Sequence, residues 1–297
     1  MSAIIFNNDS LAVLRALTSS SVHSVVTDPP AGISFLGKSW DSDKGGRDAW
    51  VAWLESIMTE CWRVLKPGGH AIVWALPRTA HWTTTAVENS GFEIRDVITH
   101  IFTSGVPSAM NISSNIDKKL GHSPKVIGYR KNPSSRYYSS KPKGDPIPIY
   151  EPSSSEAKKW QGWNPKLKPA SEHWIVARKP LSEKTLAENV LKHGTSCLNI
   201  ESCRVEKKRT RQARDYEGKT RYPSNLLLSH HPRCNDKCDK NCSINILNTS
   251  AGIDSEEYFN TFIYSSKASP KERKEGVNDT SKNSPNRQTS TINGASS

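Results

Sequence analysis

Short apolar runs alternate along this chain with longer stretches in which apolar residues recur every three or four positions. The runs are strand-like: Ile4 to Phe6, Val22 to Thr27, His70 to Leu76, the alternating Glu93 to Phe102 and, much later, His173 to Ala177. The periodic stretches are helix-like. Asp9 or Ser10 caps one whose apolar face is Leu11, Leu14 and Leu17. A longer one carries Trp50, Trp53, Leu54, Ile57, Cys61 and Val64, an aromatic stripe that reads as core packing rather than a ligand site. Lys66-Pro67-Gly68-Gly69 stops it, and a third helix spans Thr79 to Asn89 and ends at Ser90-Gly91. Strands alternating with helices predict an α/β fold built on a mostly parallel, doubly wound sheet.

Charge and composition then separate the regions. The 297 residues carry a formal net charge of +12, which favours a polyanionic partner, although a solvated basic surface has the same composition. Residues 105 to 169 are rich in Ser, Pro and Lys. Lys118, Lys119, Lys125, Arg130, Lys131, Arg136, Lys141 and Lys143 are interleaved there with Tyr137, Tyr138, Tyr150, Trp160 and Trp163. Cations among aromatics suit phosphate contact with base stacking; a long solvated loop would look much the same. A second basic run holds Lys207, Lys208, Arg209, Arg211, Arg214 and Lys219. Residues 269 to 297 have almost no apolar content and read as disordered. No stretch approaches the roughly twenty apolar residues of a membrane span. The start, Met1-Ser2-Ala3-Ile4, lacks the basic-then-apolar pattern of a secretory signal. The expectation is a cytoplasmic protein.

The strongest chemical signal comes after the β-branched run Ser24-Val25-Val26. Thr27-Asp28-Pro29-Pro30-Ala31-Gly32 ends that strand abruptly, because neither proline has an N–H and each holds the preceding residue extended. The loop presents one carboxylate and bare carbonyls at the carboxyl end of a strand, where open α/β sheets place ligands. Acceptors with few donors suit a planar amine. An exocyclic base amine has its lone pair delocalised into the ring. Accepting its two N–H protons draws that pair back onto nitrogen, a form of electrostatic preorganisation. Taken alone, Asp-Pro-Pro is also an ordinary turn sequence.

Context argues for the chemistry. Ile4 to Leu11, Ser24 to Pro30, Gly32 to Asp41, Leu65 to Trp74, Leu167-Lys168-Pro169-Ala170, Ala177-Arg178-Lys179-Pro180 and Leu191-Lys192-His193-Gly194 together resemble the amino-group DNA methyltransferases. These are the N6-adenine and N4-cytosine enzymes with a DPPY-type motif, and the likeness is to a subgroup common in phages and prophages. It implies a Rossmann-like methyltransferase sheet in which Val22 to Thr27 is the fourth strand and His70 to Leu76 the fifth, the two later strands forming an antiparallel edge. It also implies S-adenosyl-L-methionine as cofactor, double-stranded DNA as partner, a prokaryotic or phage-encoded origin and a place in restriction-modification. Asp28 and the carbonyl of Pro29 would accept the amine protons, and Pro30 would fix the loop. The target base would be flipped out of the duplex to reach them. An Asp at the first motif position fits adenine better than the Ser common in cytosine-N4 enzymes.

Two departures from the family pattern stand out. The aromatic fourth position of the motif is Ala31, which leaves Phe35 or Trp40 to supply the stacking face. The segments Asp-Pro-Phe-x-Gly-Ser-Gly and Asn-His-Pro-Thr-Val-Lys-Pro, which bind the cofactor in this motif order, do not occur, and the likeness fades after Ala268. The expected sheet is therefore incomplete, with a raw strand edge, and a second chain supplying the cofactor half becomes a candidate partner. The alternatives are a truncated methyltransferase and an accessory DNA-binding protein. The predicted organisation is a catalytic α/β core (1–104), a basic flexible DNA-contact region (105–169), a sheet-edge strand of the core (170–180), a target-recognition region (181–268) and the tail. Within the recognition region, His231, Cys234, Cys238 and Cys242 have the ligand types of a Cys₃His structural zinc site. Three reduced thiols aligned on one face are the alternative.

Overall fold

A computed structural model describes residues 4–105, 111–131, 145–206, 220–235 and 237–263. In chain order its helices and strands are α1 (Ser10–Ala16), β1 (Val22–Thr27), α2 (Arg47–Val64), β2 (Leu65–Ala75), α3 (Ala80–Asn89), β3 (Glu93–Ile101), α4 (Ile112–Lys119), β4 (Lys125–Lys131), β5 (Pro146–Glu151), α5 (Ser155–Lys159), β6 (Ser171–Arg178), α6 (Leu186–His193), β7 (Val205–Glu206), β8 (Thr220–Arg221), β9 (Leu226–His230), α7 (Ser243–Ala251) and β10 (Asn260–Ile263). Two compact units divide them, one formed by Met1–Thr103 with Ser171–Lys267 and the other containing Ser104–Ala170.

The first unit is an α/β layer structure around a six-stranded sheet of order β1-β2-β6-β3-β9-β10. β1 pairs with β2 in parallel, β3 with β9 and β9 with β10 likewise, and only β6 runs against its neighbours β2 and β3. Five strands therefore share one direction, and their carboxyl ends lie along one edge. The helices bury their apolar stripes on the sheet. Trp50, Leu54, Met58 and Cys61 of α2 pack with Ala86 and Val87 of α3 and with Val73 and Ile175 of the strands. A smaller core under the far end of the sheet contains Leu228, Cys242 and Ile244.

The three helices predicted in the first hundred residues are found, as are the strands predicted at Val22–Thr27, His70–Leu76 and Glu93–Phe102, with corrections at the amino terminus and elsewhere. Ser171–Arg178 is not an edge strand but sits between β2 and β3. Its run Ile175-Val176-Ala177 is buried, as a strand covered on both faces must be. Within the predicted recognition region, β9 and β10 extend the main sheet. Ile4-Ile5-Phe6 forms no strand, and all three residues are exposed. The terminal strands of the sheet are β1 and β10; β1 pairs only with β2 among the described residues, and Val26 on it is 69% exposed.

The Lys66-Pro67-Gly68-Gly69 segment does not separate α2 from its strand, since β2 begins at Leu65 directly after the helix. The four residues form an excursion between the pairings Val22 with Leu65 and Ser24 with His70. Polar groups from the segment after β6 clamp it. Asn189 Nδ2 and the Thr195 hydroxyl donate to the Pro67 carbonyl, Gly68 N donates to Lys179 O at 3.1 Å, and Lys179 Nζ donates to Leu65 O at 2.7 Å. Gly68 has φ +76°, and a Cβ there would collide with Ser196 Oγ, so only glycine fits.

The second unit places elements where a bare loop was predicted. β4 and β5 form an antiparallel pair, and α4 packs near α5. Asp117, buried on α4, accepts from Ser153 N at 2.9 Å, Ser154 N at 3.0 Å and Ser154 Oγ at 2.7 Å. Burial pushes its carboxyl upward, but these hydrogen bonds outweigh it and hold the group below the usual carboxylate range.

Candidate active site

The chain leaves β1 at Thr27 and enters the loop at the shared carboxyl edge. Asp28 is exposed, Pro29 buried, and Pro30 and Ala31 half-buried. The loop is pinned from three directions. Thr79 Oγ1, at the start of α3, donates to the Ala31 carbonyl at 3.0 Å. Asp41, only 1% exposed, accepts from Gly32 N at 3.0 Å and from Phe35 N at 2.8 Å, while its own carbonyl receives Ser34 N. Gly32 has φ +70° and abuts Trp50, whose Nε1 would stand 2.6 Å from a Cβ at that position. Buried N–H groups must find acceptors, and Asp41 closes the loop by providing two. The stiffness that the prolines give the motif is thereby carried on as far as Asp41.

Beside the loop lies a cavity of about 400 Å³ lined by Gly32, Ile33, Ser34, Asp43, Arg78, Thr79 and Trp82. Its size is within the range of small-ligand sites. Trp82 is half-buried and its ring packs 5.9 Å from that of Trp50. Phe35 and Trp40, the predicted stacking residues, stand on the loop's two short 3₁₀ turns. Phe35 is half-buried and Trp40 is 41% exposed, and neither is among the cavity-lining residues. The sequence reading missed Thr79, Arg78 and Trp82 altogether and gave Asp41 no role. Their one visible signal is proximity in sequence to the motif and to the carboxyl end of β2.

The predicted basic residues fall in several places. Lys118, Lys119 and Arg130 are exposed on the second unit. Arg130 lines a cavity of about 360 Å³ with Tyr150, Trp163, Asn111 and Gln161 among others. Lys131 belongs to β4, but its side chain lies outside the described residues. So do Lys207, Lys208, Arg209 and Arg211, together with Tyr137, Tyr138 and the tail 269–297.

The Cys/His group is assembled with one correction. The ligand atoms of His230, Cys234, Cys238 and Cys242 all lie within 4.8 Å of one another. His231, the histidine named from sequence, is not in the group; its Nδ1 accepts from Arg233 N. The two histidines are neighbours at the end of β9, and successive side chains point to opposite sides of a strand, so register alone decides between them. Burial and the adjacent Cys242 and Cys234 push the Cys238 thiol up to about 12. At Cys242, burial acts upward, but N–H donors of Asn245, His231 and Ile244 outweigh it and bring the thiol down to about 7.

Among curated proteins the chain is similar to the type II methyltransferase M.HindIII of Haemophilus influenzae, 25% identical over 233 residues, or 67% of this chain and 65% of that one. It is 30% identical over 108 residues to the type II methyltransferase M.BamHI of Bacillus amyloliquefaciens, covering 35% of this chain and 24% of the relative. The chain thus spans less than two thirds of the length of either. Among solved structures, the PvuII DNA methyltransferase (cytosine-N4-specific) overlaps it with a TM-score of 0.32 at 12% identity, covering 88% and 80% of the two chains. A putative DNA modification methylase from Thermus thermophilus overlaps with a TM-score of 0.31 at 19% identity, covering 62% and 59%. The family match decides the matter: over residues 22–284 the sequence fits the N6/N4 DNA methylases, and the chain belongs to that family.

Proposed function

We propose that this chain is a sequence-specific DNA methyltransferase acting on an exocyclic base amine, with adenine N6 the preferred target. The observation that carries the proposal is the Asp28–Pro29 acceptor pair on a loop held by Asp41, Thr79 and Trp50 beside an open cavity. Asp28 accepts a hydrogen bond from one amine N–H and the Pro29 carbonyl from the other, which localises the lone pair on nitrogen; as the nitrogen–methyl bond forms, the methyl's bond to the donor sulfur would break, and the surplus amine proton would pass to Asp28. The base reaches the loop flipped from double-stranded DNA. Phe35 or Trp40 stacks on it in place of the motif's missing aromatic. Exposed Lys118, Lys119 and Arg130 contact the phosphate backbone, and the region 181–268 contributes to target recognition.

S-adenosylmethionine, the cofactor named in the complex of the Thermus relative, supplies the methyl group. Among the described residues no Gly-x-Gly turn follows a strand, and no residue is assigned to the cofactor. The edge of β1, with Val26 exposed on it, favours a second reading in which another polypeptide supplies the cofactor-binding half. Calorimetric titration of the folded chain with S-adenosylmethionine, with and without duplex DNA, separates the two. Micromolar binding, roughly −8 kcal/mol, supports a self-sufficient enzyme. Absence of heat supports the two-chain form. Nucleoside analysis of methylated DNA then distinguishes adenine from cytosine.

A further inference from the structure

Beyond the acceptor loop, the described residues hold a second chemical cluster, at the other end of the sheet. His230 ends β9 and Cys242 immediately precedes α7, with Cys234 and Cys238 on the loop between them. A tetrahedral zinc ion with Zn–S near 2.3 Å and Zn–N near 2.05 Å requires ligand separations of about 3.8 Å between sulfurs and about 3.6 Å between sulfur and nitrogen. His230 Nδ1 lies 3.3 Å from Cys238 Sγ and 3.6 Å from Cys242 Sγ, and no pair among the four ligand atoms exceeds 4.8 Å. The other ring nitrogen, His230 Nε2, is 3.1 Å from Glu256 Oε1. A carboxylate behind the imidazole fixes its tautomer and aims the remaining nitrogen, as at metal-bound histidines generally. Asp239 N donates to Cys234 Sγ at 3.2 Å.

We propose that His230, Cys234, Cys238 and Cys242 bind one structural zinc ion that folds residues 231–242 onto the end of β9. Four protein ligands leave no open position, so the site is structural rather than catalytic. The need for it is visible in the packing. Among the described residues the core beneath this end has Leu228, Cys242 and Ile244 fully buried, with Ile101, Leu226, Leu247 and Phe259 partly buried against them, and small cores are commonly completed by a metal.

Topology adds a consequence. β1 and β9 run in the same direction with β2, β6 and β3 between them. His230 and Asp28 therefore sit on the same edge, four strand spacings apart, on the order of 19 Å. The zinc loop carries Arg233 and the exposed Lys237 and Lys240 along that edge. On the DNA methyltransferase reading, these cations stand where a bound duplex extends from the flipped base.

Metal analysis of the full chain, purified without chelator, tests the site. The expected result is one equivalent of zinc, lost in His230→Ala and retained in His231→Ala. Less than about half an equivalent after zinc supplementation, or loss in His231→Ala with retention in His230→Ala, would overturn it. Because removing a ligand can also prevent folding, cobalt substitution of the unmutated chain provides a second arm. Thiolate-to-cobalt charge-transfer absorption is expected, and its absence on cobalt-treated folded protein counts against the site. The DNA consequence is read separately, as duplex affinity of Lys237→Ala/Lys240→Ala in zinc-loaded protein. Zinc bound with unchanged DNA affinity leaves the metal site standing and counts against the DNA consequence alone.

Discussion

The two ends of the main sheet hold their functional loops by different means. At the β1 end, the acceptor loop rests on the large core of α2, α3 and β2, and the buried carboxylate of Asp41 closes it by taking two backbone N–H groups. At the β9 end, a core of three buried residues is joined to a loop gathered by an imidazole and three sulfurs. A deep apolar layer lets one internal hydrogen-bonding residue fix a reactive loop. Where that layer is thin, the proposed zinc ligands would take over the same task. The contrast predicts that variants at the first end act through position and hydrogen bonding.

The largest effect is expected at Asp28. Asp28→Ala should lower methyl transfer by about 10²- to 10³-fold, the usual loss for one preorganised polar contact. Thermal unfolding of the variant, measured alongside, separates a loss of transfer from a loss of folding. Asp41→Ala should cost about 1–3 kcal/mol for each buried N–H left unpaired, measured by urea denaturation, with transfer falling as the loop loosens. Gly68→Ala should destabilise the chain by about 1–3 kcal/mol through overpacking against Ser196 and Asn189. A neutral result there would show that the clamp on the β2 excursion is soft. Trp40→Ala or Phe35→Ala should weaken base binding by about 1–3 kcal/mol, read as affinity for DNA carrying an unpaired target base. Unchanged values in both would shift attention to Trp82, the aromatic that lines the cavity.

The smallest effect sharpens the comparison from the second unit. Asp117 titrates below its usual range in the folded state, so its hydrogen bonds stabilise fully above the unfolded carboxylate pKa, about 3.9. That contribution is lost as the pH falls through the lower folded value. Protection factors of the Ser153 and Ser154 amides, taken against their intrinsic exchange rates, should fall on acidification below about pH 4, and Asp117→Asn should flatten this dependence.

Much of the β1 end was legible in the sequence. The run His70–Leu76 and the stripe from Trp50 to Val64 carry local patterns that match their burial, Val22–Thr27 and Glu93–Phe102 were legible as strands although their burial does not follow the apolar pattern, and Asp28-Pro29-Pro30 marks the loop by chemistry alone. The strand at Ser171–Arg178 was visible, but its central place was not, because order in a sheet is set by partners distant in sequence. β9 and β10 are five and four residues long, and β10 ends in the exposed Phe262 and Ile263, so neither gives a distinct buried pattern. Asp41 and Thr79 act only once the chain folds back on the motif. The choice of His230 over His231 depends on strand register, which spacing between cysteines does not encode.

The central claim is that Asp28 organises an amine acceptor site on this sheet edge. The most direct measurement is incorporation of label from methyl-labelled S-adenosylmethionine into duplex DNA of mixed sequence, comparing the unmutated chain with Asp28→Ala. The account predicts label on a base exocyclic amine, lost in the variant while DNA binding and folding persist. Undiminished labelling by Asp28→Ala would contradict it, as would a folded chain that binds both DNA and cofactor yet transfers nothing.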